Sequence, residues 1–221
     1  MDFEQARFNM VEQQIRTWEV LDTDVLDLLF AVRREDFVPQ AYRSLAFADL
    51  EIPLPGAASP PPRMWPPKLE ARVIQELRLK PDDDVLEIGT GSGYLTALLA
   101  HRASRVTSVE IDPGLARDAA ARLAAHTITN ARVETGDGAR GWSAGQLFDV
   151  IVVTGSLPIL PPSLVEQLKA GGRLLAIVGQ EPAMHARLVT RDTDGQLSSR
   201  DLFETIVAPL VNAPQPERFV F

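Results

Sequence analysis

One ten-residue run constrains the fold of this chain more than any other: VLEIGTGSGY, positions 85–94. VLEI (85–88) has the short apolar pattern of a buried strand. Three glycines then alternate with Thr90 and Ser92, and Tyr94 leads into the helical pattern YLTALLAHRA. Glycine tolerates positive φ and lets another group come close to the backbone, so the run reads as strand, tight turn, helix. The alternation continues downstream. Strands are expected at 105–111 (RVTSVEI), 131–136 (ARVETG), 148–155 (FDVIVVTG) and 172–179 (GRLLAIVG). Helices are expected at 113–126, where Pro113 suits a first turn, and at 161–170, closed by Gly171 and Gly172. Strands alternating with helices predict an α/β fold with a doubly wound, mostly parallel sheet. Right-handed crossovers then put a ligand site at the carboxyl ends of the strands. Beyond residue 184, HARLVTR and LFETIVAPL are further β-like runs.

The chain before this alternation has a different texture. Phe3, Ala6, Met10, Val11 and Ile15 give a helical stripe over 3–18, and Val25, Leu28, Leu29 and Val32 give another over 22–33, with Asp22 or Thr23 as its cap. A turn follows at Pro39. Residues 50–67 are proline-rich and are expected to be irregular or extended, and helical periodicity returns over 68–79. Residues 1–80 therefore read as an N-terminal helical extension with a proline-rich loop, suited to act as a lid on a compact unit at 81–221.

Composition removes several function classes. Thirty acidic residues against 22 basic ones give a formal charge of −8, which argues against nucleic acid as the main partner. There is no cysteine, so disulfides, thiolate metal sites and a thiol nucleophile are excluded. His101, His126 and His185 are scattered without metal-ligand spacing, and no metal is expected. The start, MDFEQARFNM, lacks a basic stretch followed by an apolar run, so a secretory signal is not expected. No apolar run reaches membrane-spanning length. A cytoplasmic protein without a membrane partner is the expectation.

The glycine run separates two ligand classes. A dinucleotide site uses G-x-G-x-x-G. Counted from Gly89 the last glycine falls on Tyr94, and counted from Gly91 it falls on Thr96. The spacing is instead G-x-G-x-G, with Glu87 two residues ahead, which is the pattern of S-adenosylmethionine-dependent methyltransferases. An acid there suits an ammonium group better than a pyrophosphate. The helix start offers free N–H groups to a phosphate or a carboxylate alike. Further strand ends carry matching groups. Glu110, with Ile111 beside it, can accept from both hydroxyls of a ribose; Asp137 can accept from an adenine amino group, with Gly136 and Gly138 admitting the ring; Thr154 and Gly155 end the strand beyond. The candidate cofactor-binding residues are thus Glu87, Gly89, Thr90, Gly91, Ser92, Gly93, Tyr94, Glu110, Ile111, Asp137, Gly138 and Thr154. Gly-Asp-Gly is also ordinary turn chemistry, and Trp142 and Phe148 suit packing.

Over most of its length the chain resembles the protein-L-isoaspartate O-methyltransferases. MVEQQIR and REDFVPQAY are similar to that family's opening helices and its F-V-P-x-x-Y segment, and PLP (53–55) to its P-L-P. VLEIGTGSGY is similar to its cofactor loop, and GDGARGW, FDVIVVTG, LVEQLKAGGRLLAIVG and VAPL echo later blocks. The resemblance implies a Rossmann-like fold and a carboxyl O-methyltransferase that uses S-adenosylmethionine to esterify isoaspartyl residues in damaged proteins or peptides. The ester then closes to a succinimide, which reopens in part to normal aspartate.

One stretch departs from the family pattern. The family carries a segment like G-x-G-Q-T-I-S-x-P, whose threonine and serine hydroxyls lie by the acceptor carboxylate. An ungapped alignment from VLEIGTG backwards puts Trp65 at the serine and Arg63 at the threonine; a gapped one puts Ser59 at the serine. An indole donates one hydrogen bond and accepts none, so Trp65 cannot act as that serine, whereas Arg63 can bind a carboxylate through two N–H groups. Arg63, Trp65 and Ser59 are the candidate catalytic residues, with Trp65 equally suited to packing the loop onto the sheet. The acceptor implied is an isoaspartyl protein or peptide; the altered loop leaves another small acid open, as well as a cofactor-binding homologue without isoaspartyl activity.

Overall fold

The computed structural model describes residues 2–56, 61–143 and 145–216. The Asp2 carboxylate accepts from the N–H groups of Glu4 and Gln5 and so starts α1 (Phe3–Met10), the usual role of a short acid at an N-cap. The helical path continues to Trp18 but widens to a π turn at Val11–Ile15 and tightens to a 3-10 turn at Arg16–Trp18. The helix expected over 3–18 is therefore α-helical only in its first half. Asp22 caps α2 (Thr23–Ala31). The proline-rich stretch holds more order than expected: β1 (Ile52–Pro53) and β2 (Arg63–Met64) pair antiparallel, and Leu54 N–H donates to the Pro62 carbonyl at 2.8 Å. α3 (Pro67–Leu77) begins on a proline, where a missing N–H does no harm.

The sheet is built from β3 (Asp84–Ile88), β4 (Arg105–Glu110), β5 (Ala131–Thr135), β6 (Phe148–Leu157), β7 (Leu168–Gln180), β8 (Ala183–Arg191) and β9 (Leu197–Glu204), in the order β5-β4-β3-β6-β7-β8-β9. The first five in sequence pair in parallel, and β8 and β9 add antiparallel at one edge. α4 (Tyr94–Arg102), α5 (Pro113–Ala125) and α6 (Pro162–Glu166) are the connecting helices. The chain goes from β3 outward through β4 to β5, then returns to the other side of β3 with β6. That reversal opens a crevice at the carboxyl ends of the strands.

Alternate side chains leave the sheet on opposite faces. Val85, Val106, Val150 and Val152 join one core with α3, α4, α5 and residues from α1 and α2, so the N-terminal segment shares its interior with the sheet. Leu86, Ile88, Val109, Ile151 and Val153 face the other core, under Leu164, Trp142 and Leu210.

Two boundaries differ from the periodicity. The helix expected at 161–170 stops at Glu166, because Leu168 is taken into β7, where it is fully buried opposite Phe148. The β-like run at 202–210 gives only the end of β9. The chain then leaves the sheet and crosses the end of β6, where Ser156 N–H donates to the Ala208 carbonyl at 2.9 Å and Leu210 N–H donates to the Ser156 carbonyl at 3.0 Å.

Candidate active site

The crevice is a cavity of about 350 Å³, within the size range of small-molecule sites. Its floor is the end of β3 and the turn after it. Gly89 has φ +97°, and a Cβ there would collide with Thr154 Oγ1. That hydroxyl lies 2.9 Å from the Ile88 carbonyl and 2.6 Å from that of Gly89, so β6 is tied to the turn at a point only glycine allows. Gly91, Gly138, Thr154 and Ile111 also line the cavity.

Glu110 is 6% exposed and faces the cavity. Its Oε2 accepts from Gly91 N–H at 2.8 Å and its Oε1 from Asp112 N–H at 3.0 Å. Each oxygen keeps a further lone pair, on a carboxylate whose orientation is fixed from both sides. Asp137 also lines the cavity, but Oδ1 accepts from Ala139 N–H at 3.0 Å and Oδ2 from Asn212 Nδ2 at 2.8 Å. The turn it belongs to is tightly built: a Cβ at Gly138 would press into Ile88, and one at Gly136 into the Trp142 ring.

Glu87 is placed differently from the expectation of an acid turned toward a ligand. It is fully buried and does not line this cavity. Its Oε2 accepts from Thr96 Oγ1 at 2.5 Å and Ser108 Oγ at 2.6 Å, and Thr90 Oγ1 lies 2.5 Å from Ser108 Oγ. With Ser108 donating to Glu87, Thr90 is the donor to Ser108. Oε1 has no partner among the described residues. Burial pushes the Glu87 carboxyl up to about 8, against the pull of the two hydroxyls. Gly93 and Tyr94 likewise stay off the cavity wall. Gly93 (φ +84°) is the N-cap of α4. The Tyr94 ring lies against Phe37 and beneath the Arg34 guanidinium, and burial pushes its hydroxyl up to about 12.

The proline-rich ribbon forms the opposite wall. Trp65 is 6% exposed and does two things at once: it belongs to the larger core and it borders the cavity. A second, smaller space of about 40 Å³ lies against Trp65, Arg63, Glu70, Thr90, Ser92 and Thr154. Thr90 and Ser92 therefore reach this space and not the main one. Arg63 borders both, with Nε 3.6 Å from Glu51 Oε2. Ser59 lies outside the described residues. Behind the ribbon, the buried Arg34 donates to the carbonyls of Ala46 (2.8 Å) and Trp65 (2.6 Å) and pairs with the Glu70 carboxylate. Burial lowers Arg34 to about 10.

Among the described residues no group of three or more acids and histidines is placed to hold a metal ion, and no helix is long and apolar enough to cross a membrane. Residues 5–215 match the protein-L-isoaspartate(D-aspartate) O-methyltransferase family. The chain belongs to this family. Protein-L-isoaspartate O-methyltransferase 1 of Rhodopseudomonas palustris (strain HaA2) is 40% identical over 223 residues, covering 97% of this chain and 89% of the relative. The Koribacter versatilis protein-L-isoaspartate O-methyltransferase is 36% identical, covering 93% and 90%. A solved protein-L-isoaspartate O-methyltransferase superposes with a TM-score of 0.79 at 24% identity, over 94% of this chain and 65% of the other. A Plasmodium falciparum chain described as such a methyltransferase, solved in complex with S-adenosyl-L-homocysteine, gives a TM-score of 0.76 at 19% identity, over 96% and 99%. These two carry the fold.

Within this isoaspartate methyltransferase-family chain, the site includes residues no local pattern singles out. Glu51 sits just ahead of β1, and Ala208, Pro209, Leu210 and Val211 reach the cavity from the far end of the sequence. The motif VAPL is the one sequence signal for the latter, and it says nothing of where that segment docks.

Proposed function

We infer that this protein is an S-adenosylmethionine-dependent O-methyltransferase that esterifies the free carboxylate of isoaspartyl residues in proteins or peptides. The observation that carries the reading is convergence. Four segments far apart in sequence, the proline-rich ribbon, the GTGSG turn, the GDG turn and residues 208–211, border one cavity in a chain of this family.

The residues present fit the cofactor. A ribose needs an acceptor for its two hydroxyls, and the fixed carboxylate of Glu110 supplies one. The apolar edges of Ile88, Val109, Ile111 and Leu210 suit a flat heterocycle, with Asp137 and Gly138 beside it. Gly89, Gly91 and Thr154 would hold the amino-acid end. S-adenosylmethionine, when bound, supplies a methyl group on a sulfonium, and a carboxylate can take it without giving up a proton. The protein's part is then to orient the acceptor and exclude water. In this reading residues 81–221 hold the cofactor, and residues 1–80 bring the acceptor wall through Arg63 and Trp65. Action on damaged proteins in the cytoplasm, as protein repair, belongs to the same reading.

The test is incubation with methyl-labelled cofactor and an isoaspartyl peptide, beside its normal aspartyl isomer. Base-labile methyl ester on the isoaspartyl peptide is expected. Label no higher than with the aspartyl isomer would overturn the reading.

A further inference from the structure

The charged side chains on the main cavity wall are Glu51, Glu110, Asp137 and Arg63. Among the described residues, then, three carboxylates face one cation. A carboxylate acceptor entering this space meets repulsion everywhere except at Arg63. Among the described residues the arginine is not saturated. Its contact with Glu51 is Nε to Oε2 at 3.6 Å, longer than a hydrogen bond, and among the described residues no acceptor lies within hydrogen-bond range of its terminal nitrogens. Both side chains keep solvent access, 42% for Arg63 and 31% for Glu51. The Arg63 backbone, by contrast, is held. Arg63 pairs with Pro53 in the β1–β2 ribbon, and two residues on, the Trp65 carbonyl is gripped by Arg34. An exposed guanidinium on a fixed backbone, beyond hydrogen-bond distance of an internal carboxylate, is suited to exchanging one anion for another. Burial pushes the Glu51 carboxyl up while Arg63 holds it down, so the pair is a balance between desolvation and attraction.

We propose that Arg63 anchors the acceptor carboxylate and that Glu51 is the resident anion which the acceptor displaces from it. The inference rests on the carboxyl-methylating reading above and adds how this site selects a charged acceptor. A guanidinium binds a carboxylate through two parallel N–H groups, and the second lone pair on each oxygen stays available for methylation. Arg63 would thus take over acceptor positioning that the Trp65 indole cannot perform.

The experiment is calorimetric titration of the full chain, with S-adenosyl-L-homocysteine present, using an isoaspartyl peptide and its neutral isoasparaginyl counterpart. Wild type is expected to favour the charged peptide, by about tenfold or more if the contact is a charge-assisted pair. Arg63→Gln should bring the two affinities together, Arg63→Lys should restore part of the preference, and Glu51→Gln should tighten the charged peptide alone. Thermal midpoints near wild type would show that the exposed substitutions leave the fold intact. An undiminished preference in Arg63→Gln, or weaker binding of the charged peptide by Glu51→Gln, overturns the proposal. Failure of the underlying reading is separate: wild type would then form no methyl ester on the isoaspartyl peptide.

Discussion

Two residues at the end of β3 show how differently neighbouring positions of one motif are used. Glu87 is held in the core by the Thr96 and Ser108 hydroxyls, the latter backed by Thr90, and its raised carboxyl keeps a proton that the unfolded chain loses above its ordinary value of 4.5. The folded state therefore binds more protons than the unfolded one between those two values. Its contribution to stability is full at acid pH and declines as pH rises toward about 8. Glu87→Gln preserves the shape and removes the titration. Unfolding free energies from urea titration of the two proteins should diverge from about pH 5 to about pH 8 in favour of the variant, by an amount on the order of a few kcal/mol; parallel pH curves would show that Glu87 ionises freely. Gly89 is constrained by space rather than charge. Its φ of +97° and the Thr154 hydroxyl beside it leave no room for a methyl group. Gly89→Ala should lower stability by about 1–3 kcal/mol and weaken S-adenosyl-L-homocysteine binding, measured by thermal unfolding and calorimetry.

At the scale of elements, the β4–α5 junction couples a helix cap to a site residue. Asp112 Oδ1 accepts from Gly114 N–H at 2.7 Å and Leu115 N–H at 3.1 Å, while its own N–H donates to Glu110. Asp112→Ala keeps the backbone N–H that donates to Glu110 but loses the cap, which should cost about 1 kcal/mol of stability and, by loosening the turn that carries that N–H, free the Glu110 carboxylate. A cap alone would leave cofactor affinity untouched, so a drop in S-adenosyl-L-homocysteine affinity, measured well below the unfolding transition, distinguishes the two effects. Elements are also where local pattern fails. LVEQLKA carries helical periodicity, yet Leu168 belongs to β7 because a fully buried place opposite Phe148 outweighs one more helical turn. The prolines of 50–67 argue against regular structure, yet two residue pairs within the stretch, Ile52 with Met64 and Pro53 with Arg63, form a ribbon, since only the N–H-bearing residues need to donate.

At the scale of the molecule, Arg34 joins the N-terminal segment, the acceptor ribbon, α3 and α4 through Ala46, Trp65, Glu70 and Tyr94. Removing one member of a buried ion pair strands the other. Arg34→Met should destabilise by about 3–5 kcal/mol, and Arg34→Met with Glu70→Met should regain much of that loss; equal denaturant midpoints for the single and double variants would refute the coupling. None of these contacts lies within reach of a sequence pattern, because Ala46, Trp65 and Glu70 are 12, 31 and 36 residues from Arg34 and Tyr94 is farther still. By itself the sequence determined the α/β class, the parallel sheet and the turn that follows β3, since strand and helix periodicity and glycine's freedom at positive φ are local properties. It also marked Glu110 and Asp137, because groups at successive strand ends must come to one edge. Only the tertiary structure decided that Glu87 turns inward, that Trp65 serves core and cavity together, that residues 208–211 close the site, and that Glu51 faces Arg63. Each of these depends on which surfaces meet after the chain has folded, and burial and charge act across space without regard to separation along the chain.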